Sequence, residues 1–143
     1  MGFFDWFSPP KPAPVIIIRN VLGEEIDRVF ARDLYNQDLH GKQWMHADLS
    51  GMSLFGANLE GANLFGARLY RTDFQKASLR GAELAFSYAA GASFRGSDMR
   101  GCSLYRAEIG LGRRHSSADF TDALVNEASD IPEHKVFSER RLP

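Results

Sequence analysis

Large apolar residues recur at every fifth position from Leu34 to Ile109 without a slip of register. The series runs Leu34, Leu39, Trp44, Leu49, Leu54, Leu59, Leu64, Leu69, Phe74, Leu79, Leu84, Ala89, Phe94, Met99, Leu104 and Ile109, and only Ala89 is small. Two positions before these centres, twelve of sixteen residues are small, so each quintet offers a small and a large inward side chain. The residue between them is polar, as at Asp48, Asn58, Asn63, Asp73, Glu83 and Asp98. Two positions after the centre, nine of sixteen residues are Gly.

A period of five fits neither a helix of 3.6 residues per turn nor a long strand of period two. In a short extended piece, residues two apart face the same way. The small residue and the centre therefore point inward together, and the polar residue between them faces solvent. Glycine two positions on tolerates the positive φ that some β-turns require, so each quintet predicts an extended piece and a corner. Asn58 and Asn63, facing out, are expected to tolerate substitution.

The quintets ADLSG, ANLEG, ANLFG, ARLYR, ASLRG and AELAF resemble the A(D/N)LxX unit of the pentapeptide repeat family over about residues 32–125. The resemblance implies an all-β fold, a right-handed quadrilateral parallel β-helix in which four quintets make one square coil and residues twenty apart stack. Coils spaced by backbone pairing would make a rod roughly 20 to 25 Å long. All six prolines lie outside residues 15–131, as a ladder that needs every N–H requires.

Around this solenoid the chain divides into an aromatic, proline-rich segment (residues 1–14), an N-terminal cap (15–31), the repeats (32–125) and a C-terminal cap and tail (126–143). Two apolar runs around Gly23 read as strands of a short capping hairpin, although Ile26, Val29 and Phe30 also suit a helix; the hairpin is preferred. It would cover the open first coil. After Ile109 the pattern resumes at Phe120, eleven residues on, which predicts a one-residue bulge or small loop within GLGRRHSS.

Charge and composition narrow the function. Lys and Arg at 17 nearly cancel Asp and Glu at 18, which argues against phosphate-backbone binding and against a strongly acidic DNA mimic. The single Cys102 allows no internal disulfide, occupies a small inward position, and fits a reducing cytoplasm. No apolar run approaches the roughly 20 residues that span a bilayer, and the start of the chain lacks secretory-signal features. GxSxG, P-loop and HExxH motifs are missing, and the four histidines share no ligand-like spacing; His40 is expected to meet Glu60 one coil on. The reading is therefore non-enzymatic, with no cofactor and no metal; the only enzyme-like foothold is a void left by the small centre Ala89.

Three groups of residues are candidates for contact with a partner. Outward apolar positions after the centres give Tyr35 and Phe55 on one face and Met45, Phe65 and Tyr105 on another, with Tyr70, Phe86 and Tyr88 also outward. A basic zone from residue 66 to 115 carries a local charge of +5 against −6 elsewhere; Arg80, Arg95, Arg100, Arg106, Arg113 and Arg114 are its candidate anion patch. The N-terminal FFDWF offers Phe3, Phe4, Trp6 and Phe7 as a hook on a proline spacer. It reads as folding back or docking to a protein rather than anchoring to a membrane.

The reading is an interaction or scaffold module for an unidentified protein partner, with no direct nucleic-acid contact, no membrane contact and a homodimer as one arrangement. The family resemblance implies an alternative, since some members mimic duplex DNA and bind bacterial type II topoisomerases. The net positive middle coils argue against it. Membrane-surface docking through the N-terminal aromatic segment is the least favoured reading.

Overall fold

The computed structural model describes residues 12–110, 117–126 and 129. Among these the chain forms a two-stranded antiparallel hairpin followed by a stack of square coils. The hairpin joins β1 (Ile16–Arg19) to β2 (Glu25–Val29), with Ile16 opposite Val29 and an irregularity between Ile18 and Arg19. No described helix is long and apolar enough to cross a membrane.

From Asp38 to Glu108, each parallel bridge links residues twenty apart, as in Asp38 with Asn58 and Asn63 with Glu83. Four quintets therefore close one coil, and the architecture is a right-handed quadrilateral parallel β-helix. The centres are buried, and Ala57, Ala62 and Ala67 beside them are fully enclosed. One column runs Leu34, Leu54, Phe74, Phe94, Phe120; its rings lie parallel, with centroids 5.1 Å apart between Phe74 and Phe94 and 5.0 Å between Phe94 and Phe120.

One quintet shows why the repeat has its composition. Leu59 N–H donates to Ser78 O and Gly61 N–H to Arg80 O on the following coil, while Asn58 N–H donates to Gln37 O on the preceding one. Ala62 N–H closes the corner turn onto Leu59 O. The N–H of Glu60 remains, and it donates to the Asn58 side-chain Oδ1 at 3.1 Å. Every buried or half-buried amide needs a partner, so the residue before the centre does more than face solvent. Phe65 N–H likewise donates to Asn63 Oδ1, and Gln75 N–H to Asp73 Oδ1. Asn58 and Asn63 are half-buried, which corrects the expectation that they are bystanders.

The corner residue takes positive φ with or without glycine: Gly61 has φ 63°, Arg71 54° and Phe86 58°. The fold thus dictates the conformation, and glycine is the residue that adopts it without strain.

The hairpin seals the first coil. Trp44 is fully buried and its Nε1–H donates to Asp27 Oδ2 at 2.7 Å; the Lys42 ammonium lies 2.8 Å from the same oxygen. The chain leaving β1 also pairs with the coil, since Val21 N–H donates to His46 O and Asp48 N–H to Arg19 O. This explains why Lys42 stands where the next two coils carry Ala62 and Ala82: its ammonium reaches the cap.

One local expectation changes. The bridge partners of Ser93 and Asp98 are Asp119 and Leu124, twenty-six residues on, so six residues are inserted rather than one. At Ala89 the ladder continues unbroken: Ala89 is fully buried and its N–H donates to Glu108 O at 2.8 Å.

Candidate docking surface

Each face of the coil carries its strands, and each corner displays the residue after the centre and the positive-φ residue. The register puts Tyr35 and Phe55 on one corner and Met45, Phe65 and Tyr105 on the diagonally opposite one, so these five do not form a single surface. Tyr35, Met45 and Tyr105 are exposed, whereas Phe55 and Phe65 are half-buried. Over the Phe55 ring lies the Lys76 ammonium, 5.5 Å from the centroid.

The corner with Phe65 is built as a continuous ladder of rings. His46 meets Phe65 edge-on at 5.9 Å, Phe65 meets Phe86 at 5.3 Å, and Phe86 meets Tyr105 edge-on at 5.8 Å. The Arg106 guanidinium sits 5.4 Å from the Tyr105 centroid and 6.0 Å from that of Phe86. Sequence reasoning omitted His46 and Phe86 from this set because the ladder steps by 19, 21 and 19 residues, zigzagging between two columns, and a period of twenty skips both. Phe86 stands at positive φ, a strained position for a bulky side chain, and is 41% exposed.

Beside the ladder lies a face whose outward residues are Asp48, Arg68, Tyr88 and Glu108, bounded beyond by Ser50, Tyr70 and Arg71. A groove of about 550 Å³ opens there, lined by Val21, His46, Ser50, Gly66, Arg68, Tyr70 and Tyr88. Its end at Val21 is contributed by the turn that joins β1 to β2. Arg68 Nη1 is 3.9 Å from Asp48 Oδ2, a loose pair between exposed side chains.

The basic residues do not converge. Arg95 occupies one corner, Arg80 and Arg100 the next and Arg106 the third, and most are matched by carboxylates. Arg80 Nε is 3.2 Å from Glu60, Arg95 Nε 3.8 Å from Asp119, and Arg100 Nε donates to Asp98 at 2.8 Å. Glu60 thus meets Arg80, where the sequence suggested His40. The Arg100 hydrogen bond outweighs partial burial and lowers the Asp98 pKa. Arg113, Arg114 and the hook residues Phe3, Phe4, Trp6 and Phe7 lie outside the described residues, as does most of the loop after Gly110.

Catalytic chemistry finds little support among the described side chains. Burial pushes the Cys102 thiol far above its ordinary range, with Glu83 adding to the shift, which removes the nucleophilic thiolate. Among the described residues no His, Cys, Asp and Glu cluster could hold a metal ion.

A solenoid whose interior repeats strictly while its corners vary belongs to the class of repeat scaffolds. Residues 45–81 and 77–109 match the family model of pentapeptide repeats, in eight copies, and that segment of the chain belongs to the pentapeptide repeat family. Full-length QnrB1, a plasmid-mediated fluoroquinolone resistance protein, is similar in structure at 25% identity and TM-score 0.50, over 64% of this chain and 47% of QnrB1. A trypsin-treated variant of QnrB1 aligns at 23% identity and TM-score 0.51, over 66% of this chain and 46% of that one. HetL, a pentapeptide repeat protein involved in heterocyst differentiation regulation from the cyanobacterium Nostoc sp. strain PCC 7120, is 30% identical over 65% of this chain and 40% of its own, with TM-score 0.37. The chain spans less than half the length of each. No curated protein matches the sequence.

Proposed function

We propose that the protein is a non-enzymatic docking module of the cytoplasm that presents its aromatic corner to a protein partner. The observation that carries this is the ladder His46, Phe65, Phe86, Tyr105, with Phe86 41% and Tyr105 51% exposed and Arg106 over both rings. Contiguous exposed aromatic surface marks interaction sites, and aromatic residues with Arg dominate binding energy. The scaffold beneath is rigid because its quintets satisfy their own amides, so little order is lost on binding.

A photo-crosslinking amino acid at Tyr105 should capture a partner that the same group at Tyr35, on the opposite corner, does not. Phe86→Asp should weaken the captured complex by about thirtyfold or more, as loss of a central aromatic anchor does. Capture from Tyr35 alone, or a complex indifferent to Phe86→Asp, would overturn the reading.

The likeness to QnrB1 favours a second reading, binding to a bacterial type II topoisomerase. Against DNA mimicry stand the paired charges of Arg80, Arg95 and Arg100 and the aromatic rather than acidic corner. A supercoiling assay with and without a fluoroquinolone decides it: neither inhibition nor protection at micromolar protein removes this reading.

A further inference from the structure

The groove beside the ladder is lined by side chains that can donate to an anion and by no carboxylate. Its lining brings together the Arg68 guanidinium, the His46 imidazole and the hydroxyls of Ser50, Tyr70 and Tyr88, with Val21 and aromatic rings between them and no carboxylate in the lining. The rim adds the Arg71 and Arg106 guanidiniums, 5.1 Å and 5.4 Å from the ring centroids of Tyr70 and Tyr105. Asp48 touches Arg68 only at 3.9 Å, so the guanidinium is open to a better-placed anion. The lining spans three successive coils, about 10 Å of axis, which accommodates roughly three extended residues. The chemistry that fits is one carboxylate flanked by aromatic side chains.

The chain carries that sequence itself. Phe4, Asp5 and Trp6 place one carboxylate between two aromatics, within Phe3-Phe4-Asp5-Trp6-Phe7. We propose that this groove binds residues 3–7 of the same chain, covering the docking corner until a partner displaces them. Length permits it: residues 8–15, with four prolines, span about 25 Å as polyproline II. The distance they must run back along the hairpin, from Ile16 to the groove end at Val21, is roughly 17 Å of extended chain. Tethering raises the effective concentration of the segment to the millimolar range, so a modest intrinsic affinity keeps the groove occupied. A nucleic-acid strand is the lesser fit, because the carboxylates of Asp48 and Glu108 stand on the same face as Arg68 and would repel a run of phosphates.

The chain has two tryptophans, and Trp44 is fully buried, so acrylamide quenching of the full-length protein reports Trp6. Trp6 should be protected in the wild type. Asp5→Arg or Arg68→Asp alone should raise the quenching constant about twofold, and the double charge reversal should restore protection, the signature of direct coupling. Arg68 is exposed, and unchanged thermal melts of all three variants exclude unfolding as the cause. Quenching equal in wild type and single variants overturns the inference, as does protection that fades on dilution together with a dimer in light scattering, which would assign the segment to a second copy. Loss of protection in the single variants supports self-docking whether or not a partner is ever captured, so this test stands apart from that of the docking reading.

Discussion

Phe94 and Phe120 stack with their rings 5.0 Å apart and only 3° from parallel, although twenty-six residues separate them and twenty separate Phe74 from Phe94. The coil reaches this register because Ala118 N–H donates to Ile109 O at 2.8 Å. It is the same corner bond that Ala107 makes to Leu104, three residues back. Six residues are thus spliced into a corner without disturbing the columns on either side. Deleting residues 111–116 and replacing Ser117 by Gly, which suits the positive-φ position it would inherit, should leave the fold intact. Shortening a loop lowers its closure entropy by a few tenths of a kcal/mol. Circular dichroism and a melting temperature equal to or above that of wild type would check it; an unfolded product would show that the inserted residues hold the last coil.

The Asx bond makes a prediction opposite to simple solvent exposure. Asn63 accepts from Phe65 N–H at 3.1 Å, so Asn63→Ala should cost about 0.5 to 1.5 kcal/mol. Asn63→Asp retains the acceptor and should stay closer to wild type. Urea titrations of both variants decide it, and an Asn63→Ala midpoint equal to that of wild type would remove the bond from the account.

The repeat itself was legible because inward burial writes its period directly into Leu, Phe, Ala and Gly. Two features were not. The step of eleven from Ile109 to Phe120 reads equally as two quintets plus one residue or as one quintet plus six, and only the pairing of Ser93 with Asp119 separates them. The ring ladder was hidden because Phe86 occupies the positive-φ position of its quintet, a position that Gly fills in nine of sixteen quintets, so it leaves the column of Phe65 and Tyr105 by one residue. The groove needed a third ingredient, Val21, whose place is set by its bond to His46 O rather than by any periodicity.

Inside the coils, Leu64 and Ala62 are both fully buried and point the same way. Leu64→Ala opens a cavity in a closed column and should cost about 2 to 5 kcal/mol. Ala62→Leu overfills the same layer and should cost about 1 to 3 kcal/mol. Thermal or urea melts in which neither changes stability would contradict the inward assignment of both positions.

The cap should give the rod an acid limit. Burial raises the pKa of Asp27, but the bonds from Lys42 and Trp44 outweigh it and the net shift is downward. A carboxylate with a depressed folded-state pKa gives its full stability above the unfolded value of about 3.9, and that stability is lost as pH falls through the lower folded value. Melting temperature should therefore hold steady from neutrality to about pH 5 and fall below about pH 4. Asp27→Asn keeps an acceptor for Trp44 but loses the charge facing Lys42, and should flatten this limb in part, since Asp98 and Asp119 are shifted the same way. An acid limb of unchanged steepness in Asp27→Asn would free the cap from any part in it.

Two glycines separate backbone strain from crowding. At Gly61, φ is 63° and an added Cβ meets nothing within 4 Å, so Gly61→Ala isolates the left-handed backbone and should cost about 1 to 2 kcal/mol. At Gly66, φ is also 63°, but a Cβ would lie 2.5 Å from His46 Nδ1 and 2.6 Å from Cε1. The imidazole must then swing off Gly66 and abandon its edge-on contact with Phe65, adding about 0.5 to 1.5 kcal/mol. In a His46→Ala background the ring is gone, and the two glycine substitutions should become equal in thermal melts. If the difference persists there, something other than His46 crowds Gly66; if it is missing in the wild-type background, the first rung of the ladder contributes nothing to stability and the ring is free to turn toward the groove.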